Sequence, residues 1–141
     1  MVNSQKLFKK NFYYADIGAE NSIQIVFEKA IALTVNNQHI STEVLIVADD
    51  MGILKHEVSC DKSYGYLSND LEKGLNIKGV NFTCCNSKNI PNLFKGIIIA
   101  FYSDFDSLKE ICNSNATEVL FIPGSDNVLY EVINILKAEK L

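Results

Sequence analysis

The residues of this chain that could do chemistry are mostly acids and hydroxyls standing just after apolar runs. Asp49-Asp50 stops Val44-Leu45-Ile46-Val47-Ala48, Ser103-Asp104 follows Gly96-Ile97-Ile98-Ile99-Ala100-Phe101-Tyr102, and Ser125-Asp126 comes after Val119-Leu120-Phe121-Ile122-Pro123-Gly124. A fourth polar stretch, Asp16 to Ser22, follows Phe12-Tyr13-Tyr14-Ala15. Carboxylates gathered from Asp16, Asp49, Asp50 and Asp104 would suit Mg²⁺, a hard cation that takes oxygen ligands and few of them from protein. A phosphate ligand would need that metal, because bare carboxylates repel it. Asp16, Glu20, Asn21, Ser22, Asp49, Ser103 and Ser125 form the matching set for a small polar ligand. The plainer role of such residues is to cap helices, where a side-chain oxygen accepts from a first-turn N–H.

Signals for catalysis are sparse. Only Gly18 stands where a phosphate loop would carry several glycines. The Gly-x-Ser-x-Gly elbow is absent, and the candidate nucleophiles Cys84, Cys85, Ser103 and Ser125 have no base placed beside them by spacing. Cys85, ending a strand, is the thiol best placed to react; its alternative is a small buried hydrophobe. His56 and Cys60 are four apart, which on a helix puts them on one face as a metal-binding pair, without a second pair elsewhere.

The elements that must position these residues follow from periodicity. Phe12 to Asp16 reads as a strand, and Ile23, Val26, Phe27, Ala30, Ile31 and Val35 recur at helical steps from Glu20 onward. Val44 to Ala48 is apolar on both faces, as in a strand covered on both sides. Met51, Leu54 and Val58 can line a short helix, Ser63 to Tyr66 a loop, and Ser68 to Leu75 a brief helix closed by Gly74. Val80 to Cys85, Gly96 to Tyr102 and Val119 to Ile122 are further strands. Helices follow through Leu108, Ile111 and Cys112, and through Val128, Leu129, Val132, Ile133 and Leu136.

This alternation predicts a three-layer Rossmann-like or flavodoxin-like α/β domain over residues 1–141, with about five mainly parallel strands and helices on both faces. The link from Cys85 to Gly96 contains no helix, so it is either a degenerate crossover or a change of strand direction. In open sheets of this kind ligands bind at the carboxyl ends of the strands, near a topological switch point. That rule selects the polar residues named above.

Composition narrows the partners. The 141 residues are 48% apolar and 21% charged, close to the globular average. No apolar run approaches the ~18 residues of a membrane span and no signal-peptide core is visible, so the expected location is cytoplasmic, away from membranes. Four cysteines without a CxxC are expected to be reduced thiols. All 13 basic residues are lysine and the net charge is -4. Without arginine the bidentate fork for phosphate and guanine is missing, which argues against nucleic acid. The expected partner is a small polar molecule or a protein. A homo-oligomer would use exposed aromatics, with Tyr64, Tyr66 and Phe105 as contacts.

Two resemblances accompany this reading. GIIIAFYSDFDSLKEICNSNATEVLFIPGS resembles the last two strand-helix units of response-regulator receiver domains, and the acidic pair in VLIVADDM looks like a receiver's first strand. Cys84-Cys85-Asn86 stands where the phosphoacceptor aspartate would be and Gly124 where a receiver carries lysine, which implies a receiver-like fold without phosphoryl chemistry. GAENS, GVNFTCCN, GIIIAFYSDFDSL and EVLFIPGSDNV together are similar to small bacterial Rossmann-like proteins of unassigned function, which implies the fold and brings no activity. The expected function is a non-catalytic domain that binds a small polar ligand or a protein at the carboxyl edge of its sheet. The competing expectation is a Mg²⁺-dependent hydrolase or phosphoryl-transfer enzyme using the strand-end aspartates.

Overall fold

The computed structural model describes residues 10–16, 21–36 and 42–141. Strands β1 (Asn11–Tyr14), β2 (Glu43–Val47), β3 (Leu75–Ile77), β4 (Val80–Cys85), β5 (Ile97–Phe101), β6 (Glu118–Ile122) and β7 (Glu139–Lys140) form one sheet in the order β3-β4-β2-β5-β6-β1-β7. Every pairing is parallel except β3 with β4. The α-helices are α1 (Ser22–Asn36), α2 (Met51–Ser59), α3 (Phe105–Asn113) and α4 (Asp126–Asn134), and a 3₁₀ helix covers Gly65–Lys73.

The two-sided apolar runs fall where burial is deepest. All five residues of β5 and four of the five in β2 are buried. Because successive side chains in a strand point to opposite faces, Val44, Ile46, Ile97, Ile99 and Phe101 pack with α1, α2 and the 3₁₀ helix, through Val26, Phe27, Leu54, Val58 and Leu71. Leu45, Val47, Ile98 and Ala100 pack on the other side with Leu108 and Ile111 of α3 and Val128 and Val132 of α4. Helices therefore cover both faces of the sheet, as expected.

The helix-free link resolves as a degenerate crossover. β4 and β5 both run parallel to β2 and flank it, so the chain returns to the amino end of the sheet through residues 86–96, with only a short 3₁₀ turn at Ser87–Asn89. The one antiparallel contact lies earlier, in a hairpin that the sequence reading did not contain. Lys78 and Gly79 both have positive φ (54° and 86°), the conformation of a two-residue turn whose twist suits flanking antiparallel strands. The Asn76 side chain accepts from the Gly79 N–H at 3.2 Å and braces the turn.

Seven strands replace the expected five, the additions being the two short edge strands β3 and β7. The segment from Ser68 is 3₁₀ rather than α-helical, and the 3₁₀ helix begins at Gly65, within the stretch expected to be loop. Gly74 ends it as expected, at φ 92°. Glu20, expected at the start of α1, lies outside the described residues. Tyr64 corrects another expectation: it is buried and packs on Phe27 with ring centroids 5.4 Å apart, so it is not an exposed contact, whereas Tyr66 and Phe105 are exposed. Among the described residues no helix is long and apolar enough to cross a membrane.

Candidate functional site at the carboxyl edge

From β2 the chain passes to β4 on one side, and from β5 it passes to β6 on the other. The crevice between the carboxyl ends of β2 and β5 is thus the switch point where α/β sheets place ligands. Asp49, two residues beyond β2, occupies it. Its carboxylate accepts from the Ser87 N–H at 2.8 Å and the Ser87 hydroxyl at 3.2 Å, and from the Ser107 hydroxyl in a short contact. Burial alone would raise the Asp49 pKa, but the hydrogen bonds from Ser107 and Ser87, with the Lys88 ammonium nearby, outweigh it and hold the carboxyl below its ordinary value.

Ser107 links two acids. While its hydroxyl serves Asp49, its backbone N–H donates to the Asp104 carboxylate at 2.9 Å, the N-cap bond of α3. Asp49 therefore ties the loop after β4 to the first turn of α3, and Asp104 fixes where that turn begins. Beside Asp49 a pocket of about 210 Å³ opens between the ends of β2 and β4, lined by Ala48, Met51, Glu72, Cys84, Cys85 and Asn86.

A constrained aromatic stands just past β5. Tyr102, just past β5, has φ 48°, a left-handed conformation uncommon for a bulky side chain. It is held by its N–H to the Ile122 carbonyl at 2.8 Å, by stacking on Phe101 at 4.1 Å, and by its hydroxyl, which donates to Glu57 Oε1 of α2 at 3.2 Å. Burial and the Glu57 carboxylate raise the Tyr102 pKa, so the phenol stays protonated. Gly124 leaves room for it: a Cβ there would stand 3.2 Å from both Tyr102 Cα and Cβ.

The remaining expected site residues are dispersed. Asp50 caps α2, accepting from the Ile53 N–H at 3.0 Å, and Ser125 caps α4, accepting from the Val128 N–H at 3.3 Å. Ser103 is buried. Asp16 lies past β1, three strands from β2 or roughly 14 Å across the sheet, and its carboxylate pairs with Lys140 at 2.8 Å. Asn21 and Ser22 begin α1, with the Asn21 carbonyl accepting from the Ile25 N–H. The four aspartates are thus not gathered, and among the described residues no group of three or more His, Cys, Asp or Glu could hold a metal ion.

The thiols at the strand end are not activated. Burial, and then the neighbouring Cys85, push Cys84 up to about 12. Burial and Asp49 push Cys85 up to about 11. Both stay protonated near neutrality, which removes the form that attacks electrophiles.

Of the residues that complete the Asp49 site, Ser87 falls among the strand-end positions that the sequence marks, and Ser107 does not. Ser107 had only its spacing of three from Asp104, which marks a cap and not a partner for Asp49. Compared with known protein families, curated proteins and solved structures, the chain has no match.

Proposed function

We propose that this chain is a non-catalytic α/β domain of the Rossmann-like or flavodoxin-like kind that binds a small polar ligand at the carboxyl edge of its sheet, with Asp49 as the anchoring acid. Support for the fold assignment comes from strand order. The block β4-β2-β5-β6 repeats the first four places of the doubly wound 2-1-3-4-5 order, with β1 in the outer place where that order carries its fifth strand. The observation that carries the function is the Asp49 carboxylate at the switch point, ionised, preoriented by three hydrogen bonds and bordered by a pocket. An acid of this kind suits a ligand that offers hydrogen-bond donors, such as an amine or a hydroxyl. The half-buried thiols, whose pKa values are raised to about 12 and about 11, favour binding over thiol catalysis.

Thermal shift with a panel of amines, amino acids, sugars and nucleotides, with and without Mg²⁺, tests this. A ligand at a hundred times its dissociation constant adds ~2.7 kcal/mol of stability, and the shift is expected to disappear in Asp49→Asn. A panel without any shift, or a shift unchanged in that variant, overturns the proposal. A shift that requires Mg²⁺ would overturn the metal-free reading of the Asp49 site.

A further inference from the structure

The last turn of α2 carries a pair of side chains that the carboxyl-edge site does not use. His56 and Cys60 are one helical turn apart and both are exposed, with Cys60 Sγ 3.9 Å from His56 Nε2. α2 starts just past the carboxyl end of β2 and continues for nine residues, roughly 13 Å. The pair therefore sits at the opposite end of the helix from Asp49.

We propose that His56 Nε2 and Cys60 Sγ form an open surface site for one soft divalent cation of the zinc class. The ligand chemistry is the argument. Imidazole and thiolate together select zinc and its thiophilic relatives over magnesium and calcium, which prefer oxygen. With a Zn–N bond of about 2.0 Å and a Zn–S bond of about 2.3 Å at a tetrahedral angle, the two donor atoms must stand about 3.5 Å apart. The 3.9 Å observed needs only a small adjustment of either side chain. The backbone beneath is set: the Cys60 N–H and the Ser59 hydroxyl both donate to the His56 carbonyl, at 3.2 and 2.6 Å, which fixes the turn and the register of the two ligands.

Two protein ligands leave the remaining positions to solvent, so the site is exchangeable and not a structural centre. Binding replaces the thiol proton, which passes to solvent, with a metal–sulfur bond, and no electron is transferred. The metal also clips residues four apart across the end of a short helix, so loading is expected to stabilise α2. The other three cysteines are partly buried and, unlike Cys60, have no histidine partner among the described residues.

The test is a titration of the full reduced chain with Cd²⁺, read by the ultraviolet charge-transfer absorption of cadmium–thiolate bonds, followed by competition with Zn²⁺. Saturation at one Cd²⁺ per chain, reversal by Zn²⁺, and a rise in melting temperature on loading are expected. Cys60→Ala is expected to lose the band. His56→Ala is expected to lose saturation at the cadmium concentration that fills the wild type, and Cys112→Ala to behave as wild type. Both ligand residues are exposed, so circular dichroism of the two variants is expected to match the parent. A band that persists in Cys60→Ala, a His56→Ala titration that overlays the wild type, or no saturable band in the parent overturns the proposal.

Discussion

Asp49 shows how a single carboxylate serves both architecture and recognition. Its folded pKa lies below the ordinary carboxylate value of ~3.9, so its contribution to stability is present above that value and is lost as pH falls from there toward the lower folded value. Asp49→Asn is therefore expected to lower stability at neutral pH by about 1 kcal/mol, less than is usual for hydrogen bonds to a charged group because this one is exposed to solvent. The same variant should flatten the acid limb of the stability curve below about pH 4. Denaturant melts of both proteins across that range measure the difference. The thiols give a second residue-scale expectation. Cys60, exposed, should alkylate in the native state, while Cys84 and Cys85, raised to about 12 and about 11, should react only when the chain unfolds. Iodoacetamide labelling followed by peptide mass analysis reads this directly, and native labelling of Cys84 would contradict the burial assigned to it.

At the scale of elements, the acids and hydroxyls at strand ends mostly begin helices. Asp50, Asp104 and Ser125 each accept from the N–H three residues on, in the first turn of the helix that follows, and each change to Ala is expected to cost about 1 kcal/mol in denaturant melts. Changing Gly79 to Val should cost at least as much, because a β-branched residue resists the positive φ of the hairpin turn. If that variant melts with the parent, the hairpin is not held by its turn. These cases also mark how far the sequence could be read. The long two-sided runs of β2 and β5 were legible because burial on both faces demands unbroken apolar residues. β3 was not, since three residues, Leu75-Asn76-Ile77, are too few for a period to appear, and Gly74 before them reads equally well as the end of a helix. The list of strand-end residues was legible for the same reason as the strands. What was not legible was convergence: whether Asp16 and Asp49 meet depends on strand order, and β6 and β5 stand between β1 and β2.

For the whole molecule, stability rests on two apolar layers that share the central strands. Ile98, fully buried between α3, α4 and the sheet, is expected to cost 2–5 kcal/mol when cut to Ala, a large share of the roughly 5–15 kcal/mol of a typical domain. A fall in the denaturation midpoint with unchanged slope would show that one cooperative unit has been weakened.

The outermost strand has a consequence in time as well as space. β1 pairs only with β6 and β7, so Asn11 waits for Glu118, 107 residues further along the chain. At the usual ribosomal pace of about 5–20 residues per second, that wait is roughly five to twenty seconds. During it β2, β4 and β5 can already associate, while Phe12, Tyr13 and Tyr14 remain without their neighbours. The segment made among the earliest is thus among the last to be sheltered, and a nascent chain stalled before β6 would offer a chaperone a bare aromatic strand.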